Sequence, residues 1–220
     1  MTPLVVGIIA FPAGVIIACF FEWTLHRFIM HRPFRVPFIG TFQYAFKAHA
    51  QVHHNVFKSD HTYHLIKEED KWTIPMAWWN GPVMVTGMVL ILVILPMTLI
   101  NMLYGSWFIS LSNAVAISVS SLIAFAGYYA TYEYTHWCMH LPRPEKLRLI
   151  ERSWLFYRIN GHHLLHHRYM HKNFNVVLPL ADFCLGTLLL RSKIPFTQPR
   201  GPTVPNVQPT IVNKKLAVKG

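Results

Sequence analysis

The sequence VMVTGMVLILVILPMTLI at residues 83–100 is followed, after a short turn, by WFISLSNAVAISVSSLIAFAGYYAT at residues 107–131. Each segment is long and apolar enough to cross a bilayer, which requires about 20 residues of helix. Both lie within residues 72–142, a stretch with no Lys or Arg and only one acidic residue, Glu133. A water-soluble domain would not tolerate so long an uncharged stretch. The sequence therefore predicts a helical hairpin in a membrane.

Two further apolar segments complete the predicted fold. Residues 4–21 form a third candidate span. Residues 176–190 are apolar but short, and they carry Asp182 and Gly186, so we interpret them as interfacial or re-entrant. We therefore expect an all-α integral membrane protein with about three spans and a cytoplasmic helical cap. The basic, proline-rich residues 195–220 are predicted to be disordered.

The distribution of positive charge predicts the orientation. The chain has a formal net charge of +11, and its Lys and Arg residues fall only in residues 27–71 and 143–219. Nucleic-acid binding is not favoured, because no basic stripe alternates with exposed aromatic residues. The positive-inside rule places both basic regions in the cytoplasm. With three spans, the N-terminus is then outside and the C-terminus inside.

Fourteen histidines carry the clearest chemical signal, and all lie in the basic regions or at the span ends that face them. Ten imidazoles beside a membrane are too many to be satisfied as structural residues, so we interpret them as metal ligands. The other four, His61, His64, His162 and His171, stay open between structural and ligand roles. The ten form four histidine boxes, namely His26 and His31; His49, His53 and His54; His136 and His140; and His163, His166 and His167.

The spacing within the boxes indicates how the imidazoles are presented. The first box is different from the others, because His26 and His31 are five residues apart and would leave the face of a straight helix. We expect that helix to end or bend near Pro33. Pairs four residues apart lie on one helix face, and these pairs are His49 and His53, His136 and His140, and His163 and His167.

The number of imidazoles indicates more than one ion. A protein-bound metal usually has three or four protein ligands, so ten are too many for one. Two ions, each with about five ligands and an open position, fit the count. Imidazole binds iron, zinc, copper and nickel alike, and the ligand type therefore leaves the metal open.

Acidic residues near the boxes are candidates to orient the ligands. Glu22 lies four residues before the first box and Glu133 three residues before the third. Metal-bound imidazole commonly donates its other N–H to a carboxylate, which fixes its tautomer. We predict this role for Glu22 and Glu133, with Asp60 and Asp182 as further candidates. The alternative is a solvated carboxylate at the membrane interface.

Four segments in order carry a family resemblance. FEWTLHRFIMH at residues 21–31 combines a glutamate, a His-Arg pair and a second histidine, and YYATYEYTHWCMH at residues 128–140 holds the third box. HLLHH at residues 163–167 is a His-x-x-His-His box, and residues 173–187 end in the pattern Asp-x-x-x-Gly-Thr. Together they resemble the fatty acid hydroxylase and sterol desaturase superfamily of membrane proteins, with motifs most similar to those of fatty acid 2-hydroxylases.

The resemblance implies a catalytic membrane domain over residues 1–194 with two iron ions, for which zinc can substitute on purification. It also implies dioxygen as the oxidant and hydroxylation of an unactivated C–H bond of a lipid. These 220 residues contain no cytochrome b5-like domain, so we expect electrons from a separate cytochrome b5, ferredoxin or reductase. The implied ligands are His26, His31, His49, His53, His54, His136, His140, His163, His166 and His167.

Other functions are compatible with parts of this pattern. A sterol or carotenoid oxygenase, or a desaturase, would use the same boxes. A histidine-rich metal transporter would carry ionisable ligands midway along its spans, where this sequence has none. A haem-binding electron carrier would leave most of the histidines unexplained.

The orientation gives the first testable prediction. A reporter fused after Gly220 should report the cytoplasm, and one inserted in residues 101–106 should report the external side, because the positive charges flank only one side of the predicted spans. Reporter activity in a whole-cell assay measures both. If the two reporters lie on the same side, the three-span arrangement is wrong.

Overall fold

Three long helical segments dominate the chain. The computed structural model describes residues 1–36, 40–105, 108–142, 150 and 153–190. Each long segment is apolar and long enough to cross a membrane, and they cover Pro3–Met30, Asn80–Tyr104 and Leu111–His140. The prediction of a mostly helical chain with three such segments is confirmed. The predicted disordered tail, residues 195–220, lies outside the described residues.

The first half of the chain alternates regular helix with wider turns. Helix α1 (Pro3–Leu25) continues directly into a π-helical turn, His26–Met30. A small antiparallel sheet follows, β1 (Phe34–Val36) with β2 (Gly40–Phe42), which an all-helical prediction did not include. The next elements are α2 (Tyr44–Phe46), a π-helix (Lys47–His53), α3 (His54–Val56) and the 3₁₀ turns His61–Tyr63 and Glu68–Thr73.

The second half carries the other two candidate spans and two shorter helices. The second candidate span consists of α4 (Asn80–Val89), a π-turn (Leu90–Ile94) and α5 (Leu95–Tyr104). Helix α6 (Leu111–His140) is the third candidate span. Helix α7 (Trp154–Arg168) begins after the Ser153 side chain, which accepts a hydrogen bond from the Phe156 amide, and α8 is a short helix at Leu180–Cys184.

Small residues let α1 and α6 pack closely. A Cβ atom at Gly14 would lie 2.9 Å from the Cβ of Ala124, and one at Gly7 would lie 3.0 Å from the Ser120 hydroxyl. Close approach at small residues is a common way for helices to associate in a bilayer, where apolar burial from water is absent. The pair α1 and α6 thus forms the frame against which the second span packs.

The segment at residues 176–190 packs against α1 instead of forming a span of its own. The Trp23 indole donates a hydrogen bond to the Thr187 hydroxyl at 2.8 Å, and the Cys19 thiol donates to the Leu178 carbonyl at 3.0 Å. Ala181 and Asp182 are fully buried. The segment therefore contributes to the core at the C-terminal end of α1.

The lengths of the first and third candidate spans indicate where the histidine boxes lie relative to a bilayer. A segment of 28 residues, such as Pro3–Met30, is about 42 Å long, whereas the hydrocarbon core is about 30 Å thick. The segment Pro3–Met30 and helix α6 therefore both have turns to spare, and the first and third boxes lie at their C-terminal ends. Because these two helices end on the same side, their histidines meet.

Candidate metal centre

The box histidines converge into two groups. In each group, one imidazole nitrogen per residue lies within 4.8 Å of all the others. Group 1 consists of His26, His31, His49, His54 and His166, and group 2 consists of His53, His140, His163 and His167. The structure therefore brings nine of the ten predicted ligands together.

Group 1 is built largely by π-helical turns. The backbone N–H of His31 donates to the His26 carbonyl, and that of His54 donates to the His49 carbonyl. A hydrogen bond between residues five apart stacks those residues on one side, as an α-helix does for residues four apart. The helix ends at Met30, near Pro33 as predicted, and a π-turn is what brings His26 and His31 to one side.

The π-helix also changes the expected pairing in the second box. His49 and His53 were predicted to act as one pair, but His49 belongs to group 1 and His53 to group 2. Similarly, His166 points into group 1 while its neighbour His167 points into group 2. Adjacent histidines in the second and fourth boxes therefore serve different groups and hold the groups side by side.

His136 completes the set of ten. Its ring centroid lies 4.8 Å from that of His53, 4.9 Å from that of His163 and 5.0 Å from that of His140. Its Nε2 atom is buried and has no hydrogen-bond partner among the described residues. His136 thus lies beside group 2 with a free nitrogen, outside the group of four that converges most tightly.

The inward nitrogens of each group are very close to one another. In group 1, Nε2 of His49 lies 2.8 Å from Nε2 of His26 and 3.1 Å from Nε2 of His54. In group 2, Nε2 of His163 lies 3.2 Å from Nε2 of His140 and 3.0 Å from Nε2 of His167. A single proton on His49 or His163 could satisfy only one of its two neighbours.

A cation resolves this conflict. His140 and His167 each direct Nδ1 at a backbone carbonyl, so Nδ1 holds the proton and Nε2 presents a lone pair. Lone pairs facing each other in a buried space repel unless an electron-pair acceptor lies between them. Imidazole nitrogens about 2.1 Å from one ion and at right angles to each other would be about 3.0 Å apart. The donor set and its spacing therefore fit a metal ion in each group.

Backbone carbonyls of residues 57–73 orient group 2. The carbonyl oxygen of Phe57 lies 2.6 Å from Nδ1 of His167, and that of Tyr63 lies 2.8 Å from Nδ1 of His140. The Thr73 carbonyl lies 3.2 Å from Nδ1 of His53. These contacts fix the tautomers that leave Nε2 free to bind a metal.

Residues 172–174 orient group 1 in the same way. The Lys172 carbonyl lies 2.8 Å from Nδ1 of His166, and the Phe174 carbonyl accepts a hydrogen bond from Nδ1 of His26. The Phe174 ring packs against both imidazoles, with its centroid 5.7 Å from each. Each group therefore has its own orienting segment.

The predicted hydrogen bonds from Glu22 and Glu133 to their neighbouring histidines are not formed. Glu22 is buried and accepts hydrogen bonds from the Tyr128 hydroxyl at 2.6 Å, the Asn175 side chain at 3.0 Å and the Val176 amide at 2.6 Å. These three donors occupy the Glu22 carboxylate, so a backbone carbonyl takes its predicted place beside the imidazole.

Glu133 is likewise directed away from the third box. It accepts a hydrogen bond from the Met76 amide at 3.2 Å, while the His136 ring interacts with the backbone of Ile74. Glu133 therefore holds the segment before α4, and backbone again contacts the histidine that the carboxylate was expected to orient.

Asp182 contacts His26 indirectly, through the peptide group between Phe174 and Asn175. Its carboxylate accepts hydrogen bonds from the Phe174 amide at 2.9 Å, the Asn175 amide at 2.8 Å and the Thr187 hydroxyl at 2.6 Å. The Asn175 N–H and the Phe174 carbonyl belong to the same peptide group, and that carbonyl accepts from His26. The predicted role of Asp182 is thus indirect.

The Asp182 carboxyl is well suited to remain charged. Burial opposes its ionisation, but the nearby His162 ring, the Thr187 hydroxyl and the backbone amides outweigh burial and hold its pKa below the usual value. The charged form accepts all three hydrogen bonds described above. The segment that orients His26 is therefore anchored by a buried anion.

The remaining candidates lie away from both groups. The exposed Asp60 caps the turn that follows it by accepting from the Thr62 amide, so its predicted orienting role is not supported by any contact with a ligand. His162 lies 3.5 Å from the Asp182 carboxylate, measured from its Nε2 atom. His61, His64 and His171 are exposed, and none of these four histidines belongs to either group.

Burial keeps the imidazoles in the form that binds metals. Burial, with a smaller contribution from the nearby His166, lowers the pKa of His31 to about 3, and burial lowers the pKa of His53 to about 4. Burial likewise lowers the pKa of His163 well below its usual value. These side chains are neutral near pH 7, and neutral imidazole is the ligand form.

An apolar cavity of about 900 Å³ adjoins both groups. Four box histidines form part of its wall, namely His26 and His49 of group 1, His53 of group 2, and His136. The rest of the wall comes from α1, α4, α6 and the segments at residues 44–52 and 72–80. The cavity therefore connects the inner faces of the spans with the histidines.

No protein-family model, curated protein or solved structure matches this chain. The interpretation of the site therefore depends on its geometry.

Sequence reasoning did not identify the groups that contact the outer imidazole nitrogens. They are backbone carbonyls, those of Phe57, Tyr63, Thr73, Lys172 and Phe174. Every residue has a carbonyl, so no residue type signals this role. Asn175, which hydrogen bonds with Glu22 and Asp182, carried a weak signal as a polar residue directly before the apolar residues 176–190.

The indirect role of Asp182 predicts a selective defect. Asp182→Asn replaces an acceptor-only carboxylate with an amide that cannot accept from both backbone amides and Thr187 at once. We expect metal affinity at group 1 to fall by about 10- to 100-fold, with group 2 retained. Metal content after dialysis against increasing chelator measures this.

Asp60→Asn is the matched control for Asp182→Asn, because Asp60 is an exposed carboxylate that touches neither group. It should retain metal as the unmodified chain does. Equal metal retention in Asp182→Asn and Asp60→Asn, with both proteins folded by circular dichroism, would contradict the positioning role.

Proposed function

We propose that this chain is a membrane-bound, two-metal oxygenase that hydroxylates a C–H bond of a lipid. The observation that carries the proposal is the contact between an apolar cavity and both histidine groups. Ligand cavities typically measure about 300–1,000 Å³ and are mostly apolar. A cavity of about 900 Å³ bounded by metal-ligand histidines offers a hydrocarbon chain direct access to two metals.

The cavity walls fit an apolar substrate. Phe21, Leu25 and Ile29 of the first span line one side, and Val85 and Met88 of α4 line another. Phe125, Tyr128, Tyr129 and Tyr132 add an aromatic wall from α6. Such a surface stabilises an alkyl chain by removing it from water.

Access to the cavity lies near the start of the second span. The lining residues Trp78 and Val83 are strongly exposed, at 86% and 60%. Tryptophan is enriched where membranes meet water. A lipid tail entering past these residues would reach the histidines while its polar end stays near the interface.

The proposed reaction requires two electrons from an external donor. One oxygen atom of dioxygen enters the C–H bond as a hydroxyl group. The other leaves as water with two electrons and two protons, which a separate electron-transfer protein supplies. A redox-active metal, for which the resemblance implies iron, provides the chemistry that activates dioxygen when bound.

The chain's own residues bind the substrate, orient the imidazole ligands and exclude water. The carbonyls that fix the outer imidazole nitrogens hold the ligands in one geometry before metal arrives. The cavity positions the alkyl chain, and the buried Glu22 and Tyr128 hydrogen bond to each other at 2.6 Å in its wall. Their polar atoms are thereby satisfied without water from the substrate space.

The motif resemblance supports the same proposal independently of the cavity. The order of the four boxes resembles that of the fatty acid hydroxylase and sterol desaturase superfamily. The distribution of Lys and Arg supports a cytoplasmic position for the metal groups, with the N-terminus outside. This position would give a soluble electron donor access to the site.

Isotope labelling tests the proposed reaction. The iron-loaded protein in lipid vesicles, supplied with an electron-donor system and ¹⁸O₂, should produce a lipid that carries one ¹⁸O atom, measured by mass spectrometry. His140→Ala and His166→Ala each remove a converging ligand and should lower turnover by more than about 100-fold. His171→Ala, an exposed histidine outside both groups, should retain most activity.

The products separate the alternatives. A product that lacks two hydrogens and contains no ¹⁸O would show a desaturase and contradict hydroxylation. If sterol or carotenoid carries the label and the acyl chains are unmodified, the protein is a sterol or carotenoid oxygenase instead. Equal losses in all three variants would contradict the ligand set.

Filling the cavity should separate substrate binding from metal binding. Val85 lines the cavity from α4, so Val85→Phe should lower lipid turnover by about 10-fold or more while both metals remain. Val115→Phe, on an exposed part of α6, is the matched control and should be unaffected. Unchanged turnover in Val85→Phe would show that the substrate does not occupy this cavity.

A further inference from the structure

A second groove lies outside the first cavity and away from the metal groups. It has a volume of about 700 Å³ and is bounded by α1, α6, α7 and the segment at residues 177–190. Tyr128 lies in the wall of both spaces and separates them. None of the nine histidines that converge in the two groups lines this groove.

The groove is apolar along the spans and opens toward their lipid-facing side. Phe11 and Val15 of α1 and Ala124 of α6 form one part of its wall. Leu155 and Leu178 line the opposite part and are 61% and 38% exposed. In a chain whose spans lie in a bilayer, such a surface is covered by acyl chains.

Two hydroxyl groups in the wall already have partners, because the Thr131 hydroxyl donates to the Gly127 carbonyl at 2.7 Å and the Tyr128 hydroxyl donates to Glu22. His162 is largely buried, and its Nε2 atom lies 3.5 Å from the Asp182 carboxylate without a hydrogen bond. Arg158 is the charged and exposed group of the wall. Its guanidinium lies over the Trp154 ring at 5.0 Å, and no carboxylate of the described residues forms an ion pair with it.

Arg158 and Trp154 form a polar mouth on an otherwise apolar groove. Arginine binds phosphate with paired, charge-assisted hydrogen bonds. Tryptophan favours the boundary between headgroups and acyl chains. We propose that this groove binds one anionic phospholipid, with an acyl chain along α1 and α6 and the phosphate at Arg158.

The position of the groove gives this lipid a structural role. Helix α7 supplies Trp154 and Arg158 to the groove and, further along, His163, His166 and His167 to the metal groups. A lipid between α7 and the spans would fasten the metal-bearing helix. A ligand that binds only the folded chain stabilises it by mass action.

Gly127 provides a direct way to block the groove. A Cβ atom at this position would meet no atom within 4 Å, and Gly127 lines the groove. The Cβ of Gly127→Leu should therefore enter open space, and we expect the rest of the side chain to occupy part of the groove. Gly87 in α4 has equally open surroundings and lines neither space, so Gly87→Leu is the matched control.

Fluorescence quenching tests the proposal. The full chain in phosphatidylcholine nanodiscs is titrated with phosphatidylglycerol brominated on its acyl chains, because bromine quenches tryptophan on contact. We expect saturable quenching that brominated phosphatidylcholine does not match and that Trp154→Phe removes. Arg158→Gln, at an exposed position, should weaken binding of the anionic lipid roughly 10-fold.

The variants and a competitor define the remaining outcomes. Gly127→Leu should abolish the saturable quenching and Gly87→Leu should retain it. Glycerol phosphate, which lacks acyl chains, should not displace the lipid, and displacement by it would show a simple phosphate site instead. Equal quenching by both brominated lipids, or unchanged binding in both Gly127→Leu and Arg158→Gln, would overturn the proposal.

Discussion

The arrangement depends on one constraint, the burial of imidazole lone pairs at close range. Nε2 of His163 lies within 3.2 Å of two other imidazole nitrogens, and its single proton could satisfy only one of them. A buried polar atom without a partner is costly. A cation in each group would remove this cost, and the fold brings together the nine imidazoles that could hold it.

The fold meets this constraint by combining two kinds of helix with fixed backbone. The π-turns give group 1 its pairs five residues apart, whereas α-helices present His163 with His167. Carbonyls from residues 57–73 orient group 2, and residues 172–174 orient group 1. Because the two orienting segments are separate, we expect that each histidine group can be perturbed independently. Histidines of both groups line the same apolar cavity.

The sequence was sufficient for the features that depend on periodicity and composition. Apolar length identified the three helices that could span a membrane, and repeated spacing identified the boxes. It was not sufficient to predict which group each histidine joins, because adjacent residues such as His53 and His54 diverge only once a π-helix has set the backbone. The hydrogen-bond partners of the carboxylates could not be predicted from the sequence either. Glu22 was placed correctly near the first box, but its partners, Tyr128 and Val176, are distant in sequence and become neighbours only on folding.

Metal stoichiometry tests the central claim most directly. The chain, purified in a membrane mimic after expression with iron, should contain two metal ions per polypeptide by elemental analysis, one for each histidine group. Zinc in place of iron would still satisfy the count, since imidazole binds both. One ion or fewer in fully folded protein would contradict the account of two separate metal positions.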